Sequence, residues 1–214
     1  MDSLAPLIAA TLAAGTPLLL AAIGILVHEK TGVVNLGIEG MMLAAAVVAF
    51  AVVHASGSYG LGFVAGAAAG ALLAAVFAFF ALGLHANQYA TGLALALFGA
   101  GLSSFIGIPY AGLSLPARSI DGIPVLRELP FVGPALFSSH PLVYLSLALV
   151  VAVAWFLFRT RGGLVLRAVG ESPESAHALG YSVRGIRFAA LVFGGACAGL
   201  GGAVEEDVEG ARLV

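Results

Sequence analysis

The sequence predicts an all-α membrane protein, a polytopic bundle with about six transmembrane helices. Of its 214 residues, 61% are hydrophobic and only 9% are charged, and the mean hydropathy is +1.08. A soluble domain carries about a quarter charged residues, so this chain has too few charges to cover a surface in water. Its 29 glycines agree with that class, because glycine is commoner in membrane helices than in soluble ones.

Six apolar runs account for most of the chain. Each approaches the length of about 20 residues that a helix needs to cross the hydrocarbon core. The first run lacks a basic segment before it and is too long for a signal-peptide core, so we expect it to remain as a span. In chain order, the runs are 4–27, 33–53, 59–84, 89–108, 141–158 and 186–204.

The loop between the last two runs, residues 159–187, carries five of the nine Lys and Arg residues. Because basic loops are poorly translocated, we predict that it lies in the cytoplasm. Counting back along the chain then places 28–32 and 85–88 inside, and 54–58 and 109–140 outside. The N-terminus is predicted to be outside, which agrees with the absence of Lys and Arg before Lys30.

A short helix is predicted within this loop, over residues 173–179. Ser172 is suited to its N-cap, and Pro173 to its first position. Glu174 favours the dipole at the start of the helix, and Gly180 is suited to its end. A basic loop that carries a short, separately capped helix is typical of a surface that contacts a soluble partner.

The start of the second run is unusually polar. Asn35 and Glu39 are four residues apart, which would place them on one helix face. An acid at the edge of a span is costly, so we hypothesise that Glu39 faces the bundle interior or a transport pathway. The alternative is that Glu39 lies at the cytoplasmic interface, either hydrated or paired with Lys30. Three glycines interrupt this segment: Gly32, Gly37 and Gly40.

Asn87 and Gln88, which follow His85, form a second polar segment just before the fourth run. They either contribute to a pathway or belong to a short polar loop. The candidates for lining a pathway are therefore chosen on polarity alone: Asn35, Glu39, Asn87 and Gln88. Glycines spaced by four in the third and sixth runs favour close helix packing within the subunit, with a subunit interface or a moving gate as the alternative.

The sequence contains no catalytic constellation. It has no nucleophile elbow, no HExxH motif and no phosphate-binding loop. The five histidines lie at run ends or in loops without the spacing of metal ligands, and we expect them to be interfacial residues. We therefore expect no catalytic residue, no metal site and no ATP hydrolysis in this chain.

Three segments carry a family resemblance. Gly32-Val-Val-Asn-Leu-Gly-Ile-Glu-Gly-Met-Met resembles the N-terminal signature of bacterial ABC-transporter inner-membrane permeases of the ribose/simple-sugar and nucleoside branch. Residues 91–103 resemble the central span of that family, and residues 167–183 are similar to its cytoplasmic coupling loop. The chain looks most like the shorter permease subunit of nucleoside-type systems.

That resemblance implies a transmembrane permease domain over residues 1–203, which forms the path for a nucleoside or simple sugar across the bacterial plasma (inner) membrane. The chain would bind no cofactor, since a separate ATPase chain would hydrolyse the ATP. The other implied partners are a second permease subunit, an extracytoplasmic binding protein and membrane lipid, but no nucleic acid. A stand-alone secondary transporter or channel for a small polar solute is the alternative. The ATPase-coupling residues implied are Arg167, Gly170, Glu171, Pro173, Glu174, Ala176 and Gly180.

The chain departs from the family pattern at its end. Family members continue with further spans after the segment that matches residues 201–203. Here residues 204–214 form an acidic tail instead. We therefore expect the permease domain to be incomplete at its C-terminus.

Overall fold

The computed structural model describes the backbone of residues 4–113 and 141–212, and the side chains of residues 11–113 and 142–204. Over these ranges the chain is helical and contains no strand, which confirms the predicted all-α class. A π-helical turn, Phe79–Gly83, extends α3, and a 3-10 turn, Ile108–Tyr110, extends α4. The α-helices are α1 (Leu4–Lys30), α2 (Ile38–Ser56), α3 (Tyr59–Ala78), α4 (Gln88–Gly107), α5 (Pro141–Arg159), α6 (Arg161–Glu171), α7 (Pro173–Ala178) and α8 (Val183–Arg212).

Six of these helices are long and apolar enough to cross a membrane, which confirms the predicted number of spans. They correspond to the six apolar runs, and most boundaries differ from the prediction by only a few residues. Within the described residues, the spans are Thr11–Lys30, Ile38–Ser56, Tyr59–Gly83, Gln88–Tyr110, Leu142–Arg159 and Val183–Val204.

The second span begins later than predicted, at Ile38 rather than at residue 33. The side-chain oxygen of Asn35 accepts a hydrogen bond of 2.8 Å from the backbone N–H of Gly37. This local bond replaces helical bonding, as asparagine side chains commonly do in turns. Asn35 therefore precedes the helix, and the prediction that it shares a helix face with Glu39 is wrong.

Helix α8 lies at the centre of the bundle and packs against α1, α2 and α3. Its contact with α3 is made by glycines: a methyl group added at Gly70 would collide with the carbonyl oxygen of Gly195, and one at Gly199 with that of Gly66. The two backbones touch because neither helix has a side chain at these positions. The prediction that the spaced glycines pack within the subunit is confirmed.

The buried apolar side chains form two main clusters around α8. In the first, Met41 of α2 and Phe77 of α3 meet Leu191. In the second, Leu157 of α5 and residues of α1 meet Cys197. Cys197 is 3% exposed, so it is a packing residue of the core.

His28 departs from the expectation that the histidines are interfacial. It is 1% exposed and lies between α1 and α8, where its Nε2 is 3.1 Å from the carbonyl oxygen of Leu191. Its ring fits there because Gly194 on α8 has no side chain. Its position in the chain does not indicate this burial, since His28 stands two residues before the end of α1, where a polar side chain can also reach water.

The connecting segments separate into two groups at opposite ends of the bundle. At one end, Arg187 donates a 3.0 Å hydrogen bond from Nε to the carbonyl oxygen of Thr31. At the same end, Nη2 of Arg184 lies 3.3 Å from Nε2 of His85. At the other end, the rings of His54 and Tyr110 are 5.8 Å apart. The loops predicted to be inside thus share one end. Residues 114–140 of the predicted outer loop lie outside the described residues.

Candidate functional site

The basic loop 159–187 folds into two helices, of which the sequence analysis found one. Helix α6 begins at Arg161, and the hydroxyl oxygen of Thr160 accepts a 3.1 Å hydrogen bond from the N–H of Gly163. Gly163, Leu166 and Val169 are buried on its inner face. Their spacing of three residues is a helical signal that was readable in the sequence.

The predicted short helix is present as α7, Pro173–Ala178, one residue shorter than expected. Ser172 caps it as predicted, accepting a 3.4 Å hydrogen bond from the N–H of Ser175. Gly180 has a φ of +87°, and its N–H donates a 2.9 Å bond to the carbonyl oxygen of His177. Both caps belong to the local sequence, and Ser172 also ends α6, where its N–H donates to the carbonyl oxygen of Ala168.

Three of the seven predicted coupling residues hold the loop against the bundle. Ala176 is the buried residue of α7 and is 2% exposed. Gly170 lies against the end of α1, where an added methyl group would collide with the carbonyl oxygen of Lys30. The guanidinium carbon of Arg167 lies 5.3 Å from the ring centre of Phe158, a cation–π contact.

The other four predicted residues lie on the outer side of the loop. Glu171, Glu174 and Gly180 are exposed, and Pro173 is half-buried. Leu179 is beside them and is 77% exposed, the highest value of any large apolar side chain in the described residues. Leu179 is therefore accessible for contact with another protein. Its exposure was not predictable from the sequence, because one leucine beyond a six-residue helix creates no periodic pattern.

Three of the four pathway candidates bond to nearby backbone groups. Asn35 closes the turn before α2 and is 7% exposed. The side-chain oxygen of Asn87 accepts bonds of 2.9 and 3.2 Å from the N–H groups of Tyr89 and Ala90, and so caps α4. Gln88 accepts a 2.9 Å bond from the N–H of Val34. The structure therefore links the turn before α2 to the start of α4.

Glu39 has a different position from these amides. It is exposed, in the first turn of α2. A carboxylate is favoured there, because the N-terminal end of a helix carries a partial positive charge. Glu39 is therefore not buried among the described helices, and its place beside a transport pathway stays a prediction.

The turn before α2 and the start of α4, which Gln88 links to Val34, form a polar junction. An open cavity of about 660 Å³ lies between the basic loop and this polar junction. Its walls include His85 and Gln88 on one side, and Glu174, His177 and Arg184 on the other. Helix α7 and the start of α4 thus border one polar space. Nowhere in the described ranges do three or more His, Cys, Asp or Glu residues form a group able to hold a metal ion.

Residues 7–205 match the family model described as the permease component of branched-chain amino acid transport systems. A candidate glucose ABC transporter permease of Haloferax volcanii is 43% identical over 207 residues, which are 95% of this chain and 63% of that protein. A nucleoside ABC transporter permease of Lactococcus lactis is 34% identical over 216 residues, covering 95% of this chain and 68% of the relative.

A guanosine ABC transporter permease of Bacillus subtilis is 33% identical over 213 residues, 92% of this chain and 66% of the relative. The chain thus spans about two thirds of the length of these three relatives. No solved structure matches it.

Proposed function

The chain belongs to the permease family of branched-chain amino acid transport systems, and on that premise we propose that it is the transmembrane permease subunit of an ATP-driven ABC importer. The path would carry a nucleoside or a simple sugar. The observation that carries this proposal is its similarity, along almost its whole length, to permeases named for glucose, nucleosides and guanosine.

The chain is a multi-pass membrane protein with six apolar spans among its described residues, and in this proposal it forms a pathway rather than catalysing a reaction. Its sequence has no phosphate-binding loop, so the proposal assigns ATP hydrolysis to a separate ATPase chain and no cofactor to this one. The other proposed partners are a second permease subunit and an extracytoplasmic substrate-binding protein. The proposed location is the plasma membrane, with the N-terminus outside and the basic loop inside.

In this proposal, α7 docks into a groove of the ATPase. Leu179 and Glu174 are exposed for that contact, while Ala176 is buried below them. Gly170 lies directly against Lys30 at the end of α1. A displacement of the loop would therefore also displace α1. Closely packed elements transmit such movements because protein interiors have low compressibility.

A second connection runs across the polar cavity. Arg184 at the start of α8 donates to Nε2 of His85, and Gln88 accepts from Val34 before α2. A movement of α7 would therefore also reach the starts of α4 and α2, where Glu39 lies. This supports the proposal that Glu39 borders the pathway between two permease subunits, on the outer surface of this one.

Uptake of labelled substrates tests the proposal. Cells with the complete operon, and cells lacking only this gene, are given labelled guanosine, uridine, glucose and ribose. We expect uptake of one of these classes to require this chain and also an ATPase subunit that can hydrolyse ATP. Uptake that persists with an inactive ATPase but collapses with the proton gradient would instead favour the secondary transporter.

A further inference from the structure

An apolar groove of about 750 Å³ runs along the side of the bundle between α5, α6 and α8. Small residues create the space: Ala152 on α5, Gly162 on α6 and Ala189 on α8. Phe156 and Phe193 also line the groove, and most of its walls are apolar. Its volume is that of a small-molecule site, which is typically about 300–1,000 Å³.

The depth of the groove corresponds to one leaflet of a bilayer. Its deepest lining residue on α5 is Leu149, ten residues before Arg159 at the end of that helix. At 1.5 Å per residue Leu149 lies about 15 Å from that end of α5, which is half of a hydrocarbon core about 30 Å thick. The groove therefore lies in the leaflet on the side of the basic loop.

The end of the groove at the membrane surface is polar and basic. Arg161 and Tyr181 line it there, and both side chains are exposed. None of the described residues that line the groove is acidic. A guanidinium and a phenolic hydroxyl can both donate hydrogen bonds to phosphate oxygens, and arginine matches phosphate well.

We propose that this groove is a binding site for an anionic phospholipid. One acyl chain lies in the groove beside Phe156 and Phe193, and the phosphate contacts Arg161 and Tyr181. The occupant fits on two counts: the walls match hydrocarbon at the depth of a leaflet, and the mouth supplies positive charge where anionic headgroups lie. A polar transport substrate would gain nothing from these walls. The site is independent of the proposed transport function.

The bound lipid would bridge the two ends of the basic loop. Its acyl chain touches α5 before the loop and α8 after it, while its headgroup contacts α6 within the loop. The site thus stabilises the position of α6 relative to the two spans.

Trp155, the single tryptophan of the chain, allows a local test. It is 63% exposed beside the groove but does not line it, so its fluorescence reports the surrounding lipid. In a Trp155→Phe, Phe156→Trp variant, the tryptophan moves into the groove. The full chain is reconstituted in phosphatidylcholine vesicles that contain brominated phosphatidylglycerol or brominated phosphatidylcholine, and quenching is compared.

We expect brominated phosphatidylglycerol to quench the groove tryptophan about fivefold more effectively than brominated phosphatidylcholine, with little preference at Trp155. Arg161→Gln should abolish that preference and Arg161→Lys should largely retain it, while Arg184→Gln, at the same end but outside the groove, should leave it unchanged. Equal quenching by the two lipids at position 156 would overturn the proposal. So would the absence of quenching there by either lipid, because another polypeptide segment would then occupy the groove.

Discussion

Single side chains at the junction between α2 and α4 shape the backbone, and this decides what each of them can do in transport. The side-chain oxygens of Asn35, Asn87 and Gln88 each accept bonds from main-chain N–H groups. The bond between Asn35 and Gly37 is buried, and removing the acceptor of a buried N–H costs about 1–3 kcal/mol, so a change at Asn35 should act on stability first. Glu39 is exposed, and its role can be separated from stability.

Glu39→Gln should reduce substrate uptake several-fold while the amount of assembled complex stays near normal. The substitution removes the charge and keeps the size, so packing is preserved. Glu29→Gln is the matched control, since Glu29 is also exposed and lies at the same end of the bundle. Uptake and abundance are measured in the same membranes. A parallel fall in both quantities, or no change in either, would mean that Glu39 is structural or simply hydrated.

Gly180→Val should weaken co-purification of the proposed ATPase by about tenfold. Gly180 has a φ of +87° and open space around it, so the variant acts through backbone strain of about 1–2 kcal/mol rather than through a clash. Gly57→Val is a close control, because Gly57 has a φ of +68°, also in open space, at the opposite end. Equal retention of the ATPase by both variants would argue against a role of the α7 end in docking.

At the scale of elements, the bundle depends on close contact between α3 and α8. Glycines at Gly66, Gly70, Gly195 and Gly199 let these helices touch along about one turn of each. Membrane helices gain most of their association energy from such packing, because lipid tails are as apolar as leucine. The contact therefore fixes the central helix, from whose start the basic loop extends.

Gly199→Leu should lower the thermal stability of the purified chain markedly, since overpacking typically costs about 1–3 kcal/mol. Gly101→Leu makes the same chemical change on α4, where an added methyl group meets nothing within 4 Å. We expect that control to melt like the wild type in the same detergent. If the two variants melted alike, the α3–α8 contact would not be the stabilising one.

The sequence predicted the spans well, because each has strong local evidence in length and composition. It also predicted α7, since Ser172, Pro173 and Gly180 are local signals that need no tertiary contact. The start of α2 was predicted wrongly, because Asn35 forms a local turn within an apolar run. The charge of the loop does not indicate helix α6, although the buried residues of that helix follow helical spacing.

The contacts between distant segments could not be predicted from one sequence. Gln88 is hydrogen-bonded to Val34, which is 54 residues away in the sequence. Arg187 is hydrogen-bonded to Thr31, which is 156 residues away. Nothing in the local pattern of either residue indicates its partner. The apolar groove between α5, α6 and α8 could not be predicted for the same reason, because its small residues come from three different helices.

At the scale of the whole molecule, the chain is a membrane bundle with its polar connections divided between two ends. The end that holds the basic loop also holds the polar junction and the cavity between them. A partner that moves this loop would act on the starts of α2, α4 and α8 together. That arrangement is the basis for assigning the energy-coupling role to this end.

Site-specific photo-crosslinking can show whether the ATPase contacts the end of α7. A photoreactive amino acid replaces Leu179, which is 77% exposed beside α7, or Leu61, which is 55% exposed near the opposite end. Cells that contain the complete transporter are irradiated, and the adducts are identified by mass spectrometry. We predict that position 179 crosslinks to the ATPase subunit and that position 61 does not. Absence of the ATPase from the adducts at 179, or equal crosslinking from 61, would contradict the assignment of this loop as the coupling surface.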